Sequence, residues 1–225
     1  IINSTGDFIL LLNPDTYITD NSIEKLYIRI KNDESIGIIG PQLLYIDGKN
    51  QSYYLPKTYL DLWKLFCERF YFYRFFQNIP SLNSYFRTYM DYSIETEVEQ
   101  VSGAAFLFRK NILKKTGLLD ENYFMYFEES DFCLQAVKHN IRQLYYPDSK
   151  IIHKGGLNSE SGWERTSQWY TDSFKYYFKK NFSKSEYYIA LIIFTIGSLL
   201  KSFLFLIKND RRYKFHFIQF KKMLY

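Results

Sequence analysis

Asp7-Phe-Ile-Leu-Leu-Leu-Asn-Pro-Asp-Thr16 is the stretch that decides the fold. Its apolar residues run continuously rather than alternating with polar ones, which predicts a strand covered on both faces, as in a parallel α/β sheet. Asn13-Pro14-Asp15 ends the run, because Pro14 offers no ladder donor and stiffens the turn. Ligands of open α/β sheets collect at the carboxyl ends of strands, and Asp15 falls at such an end. An Asx turn closing an ordinary strand reads the same residues more plainly.

Downstream, Ser22-Ile-Glu-Lys-Leu-Tyr-Ile-Arg-Ile30 has apolar residues at helical spacing, with Asn21 or Ser22 as its cap. Ile36-Gly-Ile-Ile39 predicts a short buried strand ended by Gly40-Pro41. Residues 59–92 form an aromatic and basic insert, expected to be helical. Val98 to Arg109 reads as a strand in which Gly103 and Ala104 are small enough to let a ligand approach the backbone. A short helix over Ile112–Thr116 closes at Gly117, Ser130–His139 is a second helix, and Gln143–Tyr146 a further strand.

Gly117-Leu-Leu-Asp-Glu-Asn-Tyr-Phe-Met-Tyr-Phe-Glu-Glu-Ser-Asp-Phe-Cys-Leu-Gln135 carries most of the chemistry. Asp120, Glu121, Glu128 and Glu129 flank a run of aromatics, and Asp131 opens an amphipathic pattern. Acids among rings are costly to desolvate and need partners. A carboxylate held there also acquires a raised pKa and can take a proton near neutrality. The plainer account is a helix N-terminus, where acids complement the macrodipole.

Only two cysteines occur, Cys67 and Cys133, far apart and outside any CxxC spacing, which excludes a disulfide framework and a structural zinc site of that pattern. The net charge of +5 is uneven: from Gly162 onward there are 12 Lys and Arg against 4 Asp and Glu, so residues 1–161 carry −3. No groove-reading motif accompanies the basic tail, so an anionic membrane surface is the expected partner rather than nucleic acid. The tail's apolar run, Tyr187–Ile207, approaches the roughly 20 residues that a bilayer span requires. Lys201 interrupts it, and basic clusters lie on both flanks, Lys175 to Lys184 before and Lys208 to Lys222 after. Because a single span would carry one cluster outward, a peripheral or re-entrant helix on the cytoplasmic face is favoured, with a single span as the alternative.

The chain resembles family 2 glycosyltransferases, most closely the bacterial rhamnosyltransferase-like branch that builds cell-surface polysaccharide. The resemblance rests on Leu11–Thr16, Ile38–Gln42, Asp47-Gly48, Val101-Ser-Gly-Ala-Ala105, Leu119–Phe124, Tyr126-Phe-Glu-Glu-Ser-Asp131 and Ile152-His-Lys-Gly-Gly156, in that order. It implies a GT-A-type, Rossmann-like mixed sheet flanked by helices over residues 1–160, followed by a helical membrane-associating tail over 161–225. Family members open with β-α units that hold the nucleotide base, and the chain starts at Ile1 without them or an initiator Met; it is expected to be N-terminally truncated.

The resemblance also implies an inverting transfer from a nucleotide-diphosphate sugar, of rhamnose or a similar sugar, to a glycan or lipid-linked acceptor. A Mn²⁺ or Mg²⁺ ion on the diphosphate suits this chemistry. Asp15 matches the second acid of the family's DxD-type motif, with His153 completing the metal site and Asn13 adding a polar contact to the donor. Glu129 matches the base, in a position where most relatives carry Asp; Glu128 is the alternative and Asp131 a supporting acid. Asp120 and Glu121 are expected to bind acceptor hydroxyls, with Ser102, Gly103 and Ala104 forming the floor beneath the sugar. Gln168-Trp169 is followed by Tyr-Thr-Asp, so the QxxRW motif of processive synthases is absent. A non-catalytic fragment or membrane-docked scaffold is the alternative class.

Overall fold

The computed structural model describes residues 1–51, 55, 57–155 and 162–224. Gly156 of the Ile152–Gly156 motif and the 160/161 boundary lie outside the described residues. The chain forms two compact units, each discontinuous in sequence. One comprises Ile1–Tyr59, Phe86–Asp120 and Glu128–Gly155; the other comprises Leu60–Tyr85, Glu121–Phe127 and Gly156–Tyr225.

The first unit is a mixed sheet with helices on both faces. Its strands are β1 (Phe8–Leu12), β2 (Thr16–Ile18), β3 (Ile36–Leu44), β4 (Thr96–Val98), β5 (Ala105–Arg109) and β6 (Arg142–His153). Their order is β1-β5-β3-β6-β2, with β4 also on β6. β1 holds the apolar run, and its residues divide between two cores. Ile9 and Leu11 pack with Phe106, Phe108, Phe132 and Ala136. Phe8 and Leu10 pack with Leu26, Ile30, Leu107 and Leu144. The helices covering those faces are α5 (Glu128–Lys138) and α1 (Ser22–Lys31) respectively. Continuous hydrophobicity thus does mark a strand covered on both faces. Its neighbour β5 is antiparallel, however, and the parallel pairing lies between β3 and β6.

Three of the expected strands have other bounds. β3 does not stop at Gly40-Pro41 but runs on to Leu44, because the register against β6 slips between Pro41 and Gln42, where Pro41 has no N–H to donate. β6 is twelve residues long rather than four; Pro147-Asp-Ser149 fall in that same slip, so a sequence that looks like a break is accommodated within the strand. Val98–Arg109 splits into β4 and β5, leaving residues 99–104 as an irregular connection.

The second unit is helical: α2 (Leu62–Arg69), α3 (Phe72–Phe75), α6 (Trp163–Asn181), α7 (Lys184–Ile207) and α8 (Arg212–Leu224). The short α4 (Leu113–Thr116) belongs to the first unit. The expected helical insert is helical only over α2 and α3. Its Leu60 carbonyl accepts the Tyr177 hydroxyl of α6 at 3.2 Å. Phe127, Tyr170, Phe174, Tyr177, Phe178 and Phe194 form an aromatic core in tilted and edge-on contacts, the favourable arrangements for rings. A capping box at Ser183 and Glu186 starts α7.

Candidate active site

The turn after β1 is closed by local hydrogen bonds. The Thr16 amide and hydroxyl both donate to the Asn13 carbonyl, at 3.2 and 2.7 Å. Asn13 in turn donates its amide to the Ala104 carbonyl at 2.9 Å, which ties this turn to the connection after β4. The Asp15 carbonyl accepts the Lys154 amide at 2.9 Å, and Thr16 pairs with His153 across β2 and β6. These main-chain ties bring the Asp15 carboxylate to 3.4 Å from His153 Nε2.

Gln51, a residue that the sequence reading passed over, orients the imidazole. Its Nε2 donates to the His153 carbonyl at 3.4 Å, which turns its Oε1 toward His153 Nδ1, 2.8 Å away. In the neutral ring this places the proton on Nδ1 and leaves the Nε2 lone pair facing the carboxylate. In that tautomer two electron-pair donors face each other. A divalent cation satisfies both, and a second-row hydrogen bond to the other ring nitrogen is the usual support for a metal-binding histidine. Asp15 and His153 are therefore chemically suited to hold a divalent cation between them. Among the described residues no group of three or more His, Cys, Asp or Glu could hold one by itself.

The acids at the start of α5 form the other part of the site. The helix begins at Glu128, two residues earlier than its sequence pattern suggested, so Glu128, Glu129 and Asp131 all lie in its first turn. Tyr126 and Phe127 enter it with φ of 69° each, a left-handed conformation costly for aromatic residues. Glu129 lies on the backbone of Gly103: a Cβ at Gly103 would sit 3.2 Å from the Glu129 carboxyl carbon. Amides of Gly103, Glu129 and Ser130 donate toward this carboxylate, yet its buried Oε2 has no hydrogen-bond partner among the described residues. Burial, reinforced by the neighbouring Glu128 charge, pushes the Glu129 pKa up to about 8, and burial raises Glu128 as well.

Gln100, also missed in the sequence, fixes this helix start. It is buried and donates to the Ser130 hydroxyl at 2.8 Å, next to Glu129. The Glu99 and Gln100 amides both donate to the Lys57 carbonyl, and burial with the nearby Arg87 charge lowers the Lys57 ammonium to about 7. Neither glutamine stands in a periodic pattern, and no sequence signal marks them.

Ser102, Gly103 and Ala104 form the connection between the two parts, with the Ala104 amide donating to Ser102 Oγ at 3.3 Å. Asn13 bonds to Ala104, and Gly103 supports Glu129, so the strand-end turn and the α5 acids share one backbone segment. Asp131 is buried, and Asp120 belongs to the same unit; Glu121 belongs to the helical unit.

No protein-family model matches the chain. The chain is similar to the low-salt glycan biosynthesis hexosyltransferase Agl10 of Haloferax volcanii, at 27% identity over 198 residues. The match covers 86% of this chain and 57% of that protein, so the chain spans a little over half the length of its relative.

Proposed function

We propose that this chain works as part of a glycosyltransferase that moves a hexosyl or deoxyhexosyl group from a nucleotide-diphosphate sugar to a glycan or lipid-linked acceptor. The single observation that carries this reading is the Ala104–Gly103 segment, which links the Asp15–His153 pair to the Glu129 carboxylate. The hexosyltransferase relative supports the reaction class. A GT-A-type fold of family 2, with a rhamnosyltransferase-like preference, is the finer form of the proposal.

In this mechanism Asp15 and His153 would hold Mg²⁺ or Mn²⁺, which when bound would supply Lewis-acid support for the departing diphosphate. Asn13 and Gly103 bind the donor, and Ser102 and Ala104 line the sugar, with Asp120 and Glu121 as acceptor contacts. The acceptor hydroxyl oxygen bonds to the anomeric carbon as the bond to the diphosphate breaks, with inversion. Its proton passes to Glu129, and the electron pair leaves with the nucleoside diphosphate. Glu128 and Asp131 support the base. The site works at the cytoplasmic face of a membrane, where anionic lipids attract the basic tail.

The test is transfer of radiolabelled sugar from a panel of nucleotide-diphosphate donors over a Mn²⁺ titration. Asp15→Ala should abolish metal-dependent transfer while the circular dichroism spectrum stays unchanged. Full transfer by Asp15→Ala without added metal would overturn the metal role, and no transfer from any donor by the unmodified protein would favour a scaffold.

A further inference from the structure

We infer that α7 is an in-plane membrane anchor, with its outward ridge inserted among lipid acyl chains and its inward face held by an ion pair with α2. The polarity of this helix is inverted relative to a helix on a water-soluble protein. Its buried positions are Ala190, Phe194, Gly197, Ser198, Lys201 and Ser202, mostly small or polar. From Tyr188 to Ile207 every exposed position is a large apolar residue, among them Ile192, Ile196, Leu199, Phe203 and Leu206. Such a continuous apolar ridge marks a partner surface rather than a solvated face.

The partner is lipid rather than a second copy of the chain. The ridge follows heptad spacing through Ile189, Ile192, Ile196, Leu199, Phe203 and Leu206, which could suit a coiled coil. Paired helices in water carry charged residues beside such a seam. Here the flanking positions are Tyr188, Ile193, Thr195, Leu200 and Ile207, none of them charged. Basic residues lie instead beyond the ridge at Lys184, Lys208, Arg211 and Lys214, where they complement anionic headgroups.

The inward face shows that the helix lies flat. Lys201, the charge that interrupts the apolar run, is buried with its Nζ 2.5 Å from Glu68 Oε1 of α2. Arg69 lies over the Phe194 ring at 3.7 Å, and a Cβ at Gly197 would come within 2.5 Å of the Arg69 Cβ, so glycine permits this approach. On another side α8 is packed against α7, with the Ser202 hydroxyl bonded to the Tyr213 carbonyl and Phe205 stacked on His216. A spanning α7 would drag α2 and the basic α8 into hydrocarbon, where each charge is expensive. Lying in the interface, it buries the ridge and leaves the charged partners on the aqueous side.

This inference rests on the membrane reading above but not on the transfer chemistry. The test places an environment-sensitive NBD label on cysteines introduced singly at Ile192, Leu199 and Leu206, with anionic liposomes carrying shallow or deep nitroxide quenchers. All three labels should quench alike and most strongly with the shallow quencher. A deep maximum at Leu199 with shallow ends would establish a span and overturn the in-plane arrangement. No change with liposomes, together with concentration-dependent crosslinking, would replace lipid by a second copy. Leu199→Asp with Phe203→Asp should weaken liposome flotation about tenfold or more while transfer to a water-soluble acceptor is retained. Absence of transfer by the unmodified protein with normal flotation would count against the proposed chemistry alone, and normal flotation of the double variant would overturn the ridge.

Discussion

At the scale of single residues, the raised pKa of Glu129 bears on stability and, in the proposed mechanism, on rate. The base acts only when ionised, so transfer should rise with pH through about 8 and level off above it, as a pH profile of kcat would show. Glu129→Gln should lower kcat about 100- to 10,000-fold with donor affinity little changed. If Glu129→Gln turns over normally while Glu128→Gln is inactive, the two roles are exchanged. The folded chain keeps the Glu129 proton from the ordinary value of 4.5 up to about 8, whereas the unfolded chain releases it above 4.5. Folding stability should therefore fall as pH rises through that window, and Glu129→Gln should flatten the slope in urea melts. Gln100 is expected to act on rate through Ser130. Gln100→Leu should lower kcat about tenfold without raising the donor KM, at a stability cost of about 1–3 kcal/mol for the stranded hydroxyl. Adding Ser130→Ala should recover much of the stability but not the rate, which separates positioning from a purely structural role.

Among the elements, β1 was legible because its side chains feed two cores and its turn residues are explicit in Asn13-Pro14-Asp15. The start of α5 was not, because two aromatics in left-handed conformation precede it and neither residue type announces that geometry. β6 is longer than the Gln143–Tyr146 expected from sequence because the register slip against β3 accommodates Pro147 within the strand. The partner of Lys201 was equally invisible, since Glu68 lies 133 residues away and the pair exists only after folding. The same limit hid Gln51 and Gln100, whereas Asp15, His153 and Glu129 stood in the motifs on which the resemblance rests. Gly40 tests how closely β3 is packed beneath the site. A Cβ there would fall 2.9 Å from Val101, which leads into Ser102 and Gly103. Gly40→Ala should cost about 1–3 kcal/mol in chemical denaturation by overpacking, with activity falling further than the stability loss explains.

Across the whole molecule, both units are assembled from distant stretches of chain. Within the helical unit, the Leu60 carbonyl, Glu68 and Arg69 find their partners on α6 and α7. Truncation after residue 161 should therefore leave residues 60–85 open to limited proteolysis, with cuts near Trp63 and Phe75, while cleavage within β3 stays slow. A fragment resistant throughout 60–85 would show that this region folds without the tail. The length of β6 has a temporal consequence. Its parallel ladder joins Ile36 to Arg142, and its last residue is His153. During synthesis β3 leaves the ribosome long before its partner exists, and closure of so long a loop is entropically slow. β5 can cover one edge of the apolar strand earlier, but its other edge must wait, open to chaperones or to misassociation with other nascent chains, until the far end of the unit arrives. Because the same late strand carries His153, a chain stalled before it could display Asp15 and Glu129 but would lack the imidazole that pairs with Asp15.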